Sequence, residues 1–164
     1  MNRNWGYCGT DNYYKSADML IKKLVECVSK GGNFLLNIGP DANGAIPPRA
    51  AQTLDEIGRF MHFNAQSIYG CTKSDIPKPE WGRITQNGNM LYLHVYENTL
   101  GPLPLYGIPA QHINSIRLLS TGHEIPLSHS WVHSDYPDMA FADLGPAPTL
   151  ADETDTVLQL AWKE

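Results

Sequence analysis

The chain has 164 residues, 42% of them hydrophobic and 18% charged, and a formal net charge of −5. That balance is the one of an ordinary globular protein. It offers no basic surface to nucleic acid, and no apolar stretch approaches the roughly 20 residues that cross a bilayer, so neither nucleic acid nor a membrane is expected as a partner.

In chain order, the first segment, MNRNWGYCGTDNYYKS, is polar and aromatic and reads as a loop without the apolar run of a signal peptide. The spacing of SADMLIKKLVECVSKGG predicts a helix over 16–30, opened by Ser16 as N-cap and stopped by Gly31 and Gly32. Met19, Leu20, Leu24 and Val28 form its apolar line, with Ile21 and Val25 beside them. Next comes Phe34-Leu35-Leu36-Asn37-Ile38, bounded by glycine and proline, which predicts a strand over 33–38 covered on both faces. After the turn PDANGAI, a second helix is expected over 47–64, starting at Pro47-Pro48 and striped by Ala51, Leu54, Ile57, Gly58 and Met61.

Beyond residue 70 the pattern changes. DIPKPEWG reads as a linker, and GRITQNGNMLYLHVYEN as two strands around a hairpin turn at Asn87-Gly88. Leu91, Leu93 and Val95 face one way, and Tyr92, His94 and Tyr96 are expected on the outer face. Further strands are expected at SIRLLS, DMAFADL and TVLQLAW, so 71–164 reads as an antiparallel β-sandwich packed through Leu91, Leu93, Val95, Leu118, Phe141, Leu158 and Leu160. A buried parallel strand needs partners, and residues 1–70 hold one such strand, so this part is expected to be the last helix–strand–helix of a larger α/β domain that begins upstream.

NWGY at 4–7, LVECVSKGGN, NFLLNIGP, DANGAIP and LDEIGRF with NAQSIYG closely resemble, in order and spacing, the α-L-fucosidases of glycoside hydrolase family 29. The resemblance implies an α/β plus all-β fold: residues 1–70 as the C-terminal portion of a catalytic (β/α)8 barrel, which takes roughly 200–250 residues when complete, and residues 71–164 as the β-sandwich domain. It implies a retaining glycosidase acting on a fucosylated glycan or glycoside, with one carboxylate as nucleophile and a second as acid/base. The family's nucleophile is an aspartate on an earlier strand, which no segment of this chain matches. For the acid/base the corresponding stretch, CGTDNYYKS, offers Asp11, which also suits a loop turn beside Asn12. Trp5 and Tyr7 are expected to stack on a sugar face, Phe34 to meet the fucose methyl group, and Asn37 to hydrogen-bond the sugar. The bland alternatives are rim packing for Trp5, barrel core for Phe34 and a turn cap for Asn37. A non-catalytic carbohydrate-binding or structural sandwich module is the competing reading of the whole chain.

No cofactor or metal is expected. GPDANGA lacks the Lys-Ser/Thr that would hold phosphates and magnesium. Asp41-Ala-Asn43-Gly44 hints at a calcium loop, but Gln52 stands where a bidentate glutamate belongs, so a tight turn is the better reading. His129 and His133, with Asp135 and Asp138, have the loose spacing of surface residues. The three cysteines, Cys8, Cys27 and Cys71, frame neither a zinc site nor a disulfide set.

Overall fold

A computed structural model describes residues 1–129, 134–145 and 150–163. Trp131 and His133 of the histidine-bearing segment lie outside them. Helix α1 (Ala17–Ser29) begins where the sequence says it should: the Ser16 hydroxyl accepts from the Met19 amide at 3.2 Å. It ends as the Gly31 and Gly32 amides donate back to Val28 and Cys27, with Gly31 at a φ of 73°. Helix α2 (Pro48–Asn64) has proline in its first turn.

Leu54, Ile57 and Met61 of the expected α2 stripe pack inward. Ala50, Thr53, Phe60 and Asn64 are buried beside them, whereas Ala51 and Gly58 are exposed. Nothing lies within 4 Å of a Cβ placed on Gly58. Gly58→Ala is therefore expected to stabilise the fold by about 0.5–1 kcal/mol, through helix propensity alone. A thermal melt reads it directly.

Among the described residues seven strands follow: β1 (Thr72–Lys73), β2 (Gly82–Asn87), β3 (Met90–Val95), β4 (Leu103–Tyr106), β5 (Ile113–Leu118), β6 (Met139–Ala142) and β7 (Thr156–Trp162). They form a five-stranded sheet in the order β1-β2-β3-β7-β5 and a two-stranded sheet of β4 and β6, antiparallel throughout. The β2–β3 loop is Gly88-Asn89, one residue beyond the expected Asn87-Gly88 pair. Gly88, with a φ of 55°, takes the first loop position, the glycine pattern of a type II′ turn.

One core lies between the two sheets. Leu91, Leu93, Val95, Leu158 and Leu160 enter it as expected from the inward face of β3 and β7. Leu118 is only half-buried at its edge. Phe141 is a correction: Ala140 and Ala142 point into this core, and the alternation of β6 turns Phe141 to the other side, where its ring meets Tyr136 edge-on. Trp81, in the stretch read as a linker, is buried in the same core and donates from Nε1 to the Pro104 carbonyl at 2.8 Å.

The supposed outer face of β3 is also a correction. Tyr92 and His94 are buried, because Ile21, Val25 and Val28 of α1 pack onto that face with Phe60, Ile68 and Val157. Helices thus cover one side of the five-stranded sheet and β4–β6 the other. Residues 33–38 form no strand: none of the described strands reaches them to build a ladder. They keep the alternation of one, with Phe34, Leu36 and Ile38 packed near Leu20 and Ala50. Leu35, on the opposite side, is 81% exposed, so the expectation of cover on both faces does not hold in this chain. Turn 41–45 is tight, closed by the Asp41 carboxylate accepting from the Asn43 and Ala45 amides.

Candidate functional site

The loop of residues 1–15 lies over the end of segment 33–38. Its foot is tied by the Lys15 amide donating to the Met1 carbonyl at 3.2 Å, and by Arg49 of α2 donating to the Asn12 carbonyl at 3.0 Å. The Arg3 guanidinium sits 4.2 Å from the centre of the Tyr13 ring.

Asp11 organises this loop from within. Its Oδ2 accepts from the Arg3 amide at 3.0 Å and from Asn4 Nδ2 at 2.9 Å, and its Oδ1 from the Tyr13 amide at 3.0 Å. The Tyr13 bond closes a local turn, and with the other two it holds the carboxyl below the usual carboxylate range. A general acid needs a shift in the opposite direction. The contacts are those of the turn alternative.

Three of the residues singled out by sequence line one cavity of about 460 Å³: Trp5, Phe34 and Asn37, with Met19, Lys23 and Cys27 of α1 on its far wall. Trp5 is 84% exposed, leaving its indole face free. Tyr7, half exposed, is on the same loop but outside the cavity lining. Phe34 shares the helix-side packing of Leu36 and Ile38, which agrees with its core alternative. Asn37 spends its amide within the protein, donating from Nδ2 to the Trp5 carbonyl. A second cavity, of about 510 Å³, opens between the start of α1, α2 and the loop before β7, and holds none of the predicted residues.

Sequence reasoning missed Gly39. The Gly6–Tyr7 peptide crosses directly over it, so that a Cβ there would meet Gly6 C and Tyr7 N at 2.6 Å. The glycine is visible in NIGP, but its partner, more than thirty residues earlier, is not. Also missed was a buried polar chain beneath α1: Asp155 Oδ2 to His94 Nδ1 at 2.7 Å, and His94 Nε2 to the Thr85 hydroxyl at 3.2 Å. Among the described residues, no group of three or more His, Cys, Asp or Glu side chains could hold a metal.

The family model for alpha-L-fucosidase matches residues 1–66. A curated α-L-fucosidase of Dictyostelium discoideum is 36% identical over 112 residues, which is 58% of this chain and 24% of that protein. The solved α-L-fucosidase isoenzyme 1 of Paenibacillus thiaminolyticus is 42% identical and superposes with a TM-score of 0.93, covering 99% of this chain and 38% of its own. The chain belongs to the α-L-fucosidase family.

It corresponds to a C-terminal part of a family 29 α-L-fucosidase. The family 29 α-L-fucosidase of Bacteroides thetaiotaomicron, solved as a trapped covalent intermediate, shares the fold with a TM-score of 0.84 at 24% identity, covering 99% of this chain and 37% of its own. The chain spans 24–38% of the length of these relatives. In this family member the sequence-model match stops at residue 66, while the structural match to the Paenibacillus protein takes in both sheets as well.

Proposed function

We propose that the chain is the C-terminal part of a retaining α-L-fucosidase that hydrolyses terminal α-L-fucosyl bonds. Residues 1–70 close one side of a (β/α)8 barrel in this reading, and 71–164 form the sandwich that buttresses it. The 1–15 loop and the end of segment 33–38 would then lie at the C-terminal end of a barrel strand, where such barrels hold their active sites. Trp5 supplies an aromatic face to the sugar, Tyr7 a second ring at the rim and Asn37 a polar edge, while Phe34, packed on the helix side with Leu36 and Ile38, backs the segment that carries Asn37. What supports the reading is the convergence of Trp5, Phe34 and Asn37 on one cavity, in a chain so close to the Paenibacillus protein throughout its length.

The test is a hybrid in which this chain replaces the matching part of the Paenibacillus enzyme, assayed for fucose release. Trp5→Ala in the hybrid is expected to raise KM for an aryl α-L-fucoside more than it lowers kcat, as loss of a stacking face should. Unchanged kinetics would remove Trp5 from the sugar site.

Asp11 serves the loop as a clasp. Asp11→Asn in the hybrid is expected to cause small and similar losses on an activated aryl fucoside and on a fucosylated glycan. An acid/base role predicts a different pattern: a loss of about 10²–10⁴-fold on the glycan, whose leaving group needs a proton, and far less on the aryl substrate.

A further inference from the structure

We propose that Gly39 and Asn37 are positioning residues that fix the Trp5–Gly6–Tyr7 loop in place over the end of segment 33–38. Two independent contacts carry this. The first is backbone against backbone. At Gly39 a Cβ would stand 2.6 Å from both Gly6 C and Tyr7 N, and 2.9 Å from the Gly6 carbonyl oxygen. Main-chain atoms cannot swing aside as a side-chain tip can, so any larger residue lifts the peptide that joins the two aromatic residues. The need for glycine here is one of clearance, since the φ of Gly39 is not in the left-handed region.

The second contact is polar. Asn37 Nδ2 donates to the Trp5 carbonyl, the peptide oxygen just ahead of Gly6. Clearance at Gly39 sets how closely the loop approaches, and the Asn37 bond sets where along the segment Trp5 lies. The two residues are i and i+2 on one short stretch, so they present to the same side of it. Asp11 and Arg49 restrain the loop further along, at Arg3–Asn4 and Asn12. None of their contacts reaches Trp5 or the Gly6–Tyr7 peptide.

Only the catalytic consequence of this inference rests on the proposed function. If Trp5 is a wall of the sugar site, displacing its loop by about 1 Å is enough to cost roughly 100-fold in turnover. The position of Trp5 itself can be read without any activity.

The experiment labels the 164-residue chain with 5-fluorotryptophan and follows the Trp5 ¹⁹F resonance, assigned by its loss in Trp5→Phe. Gly39→Ala and, separately, Asn37→Asp, which keeps the shape but removes the donor, are expected to shift or broaden that resonance. The signal of Trp81, buried between the sheets, should stay where it is, and Gly58→Ala should move neither. In the hybrid, kcat/KM is expected to fall about 100-fold in Gly39→Ala. If Gly39→Ala unfolds the chain, and the Trp81 signal moves with Trp5, Asn37→Asp decides. A Trp5 resonance unmoved in the folded variants overturns the inference. An inactive hybrid with an unsubstituted chain instead overturns the proposed function, and leaves the ¹⁹F result standing.

Discussion

His94→Leu is expected to destabilise the fold by about 3–5 kcal/mol, because it strands a buried carboxylate. For a chain of this size that corresponds to a fall in Tm of roughly 6–20 °C. His94 and Asp155 are both fully buried between α1 and the five-stranded sheet. The hydrogen-bond directions can be worked out. The Thr85 hydroxyl has one hydrogen and donates it to the Ser67 carbonyl at 2.7 Å. His94 Nε2 must therefore donate to Thr85 Oγ1. One proton then has to lie between Nδ1 and Asp155 Oδ2, at 2.7 Å, or two lone pairs would face each other in a dry interior.

Burial pushes the Asp155 carboxyl above the usual carboxylate range, and the neighbouring His94 opposes this. Asp152 adds to the upward shift and Lys22 works against it. A carboxyl whose folded value is raised stabilises fully below its unfolded value, and that contribution is lost as pH rises through the folded value. The wild type should thus lose stability with rising pH relative to a variant lacking the pair. The double substitution His94→Leu with Asp155→Leu is expected to recover most of the single variant's loss, since an apolar pair leaves no charge stranded. Chemical denaturation of the wild type, the two single variants His94→Leu and Asp155→Leu, and the double variant across pH checks both points. Equal stability of the single and double variants would mean that the pair is not coupled.

The 164-residue chain by itself is expected to release no measurable fucose from an aryl α-L-fucoside. Retention splits the reaction into formation and hydrolysis of a glycosyl-enzyme, and both halves need the nucleophile. By the family resemblance that nucleophile is an aspartate on an earlier barrel strand, and the loop carboxylate present, Asp11, is held ionised by three hydrogen-bond donors. Fucose release by the purified chain, removed by no contaminant control, would contradict the assignment of these residues to one wall of the site.

The parts of the fold legible in sequence are those written locally. Ser16 and the Gly31-Gly32 pair mark α1, the proline pair marks the start of α2, and TVLQLAW coincides with β7. β4 was hidden by Pro104 within LPLY, tolerated because β4 is an edge strand that, among the described residues, pairs on one side alone, with β6. The burial of Tyr92 and His94 was hidden for a different reason. Their alternation was read correctly, but nothing in β3 says that α1, some seventy residues earlier, covers that face. The site divides in the same way. The family motifs picked out Trp5, Phe34 and Asn37, which do meet at one cavity. That Asn37 reaches a backbone oxygen and that Gly39 makes room for a peptide are facts of packing between distant segments, which no local pattern encodes.

The measurement that bears most directly on this account is fucose release by the Paenibacillus hybrid carrying this chain, compared with a hybrid that keeps only residues 71–164 of it and retains the Paenibacillus residues before them. If residues 1–70 complete the sugar site and 71–164 support it, both hybrids cleave an aryl α-L-fucoside, and Trp5→Ala weakens the first. A first hybrid that folds with a native melting transition yet releases no fucose, beside a fully active second, would contradict the claim that residues 1–70 form part of a working fucosidase site.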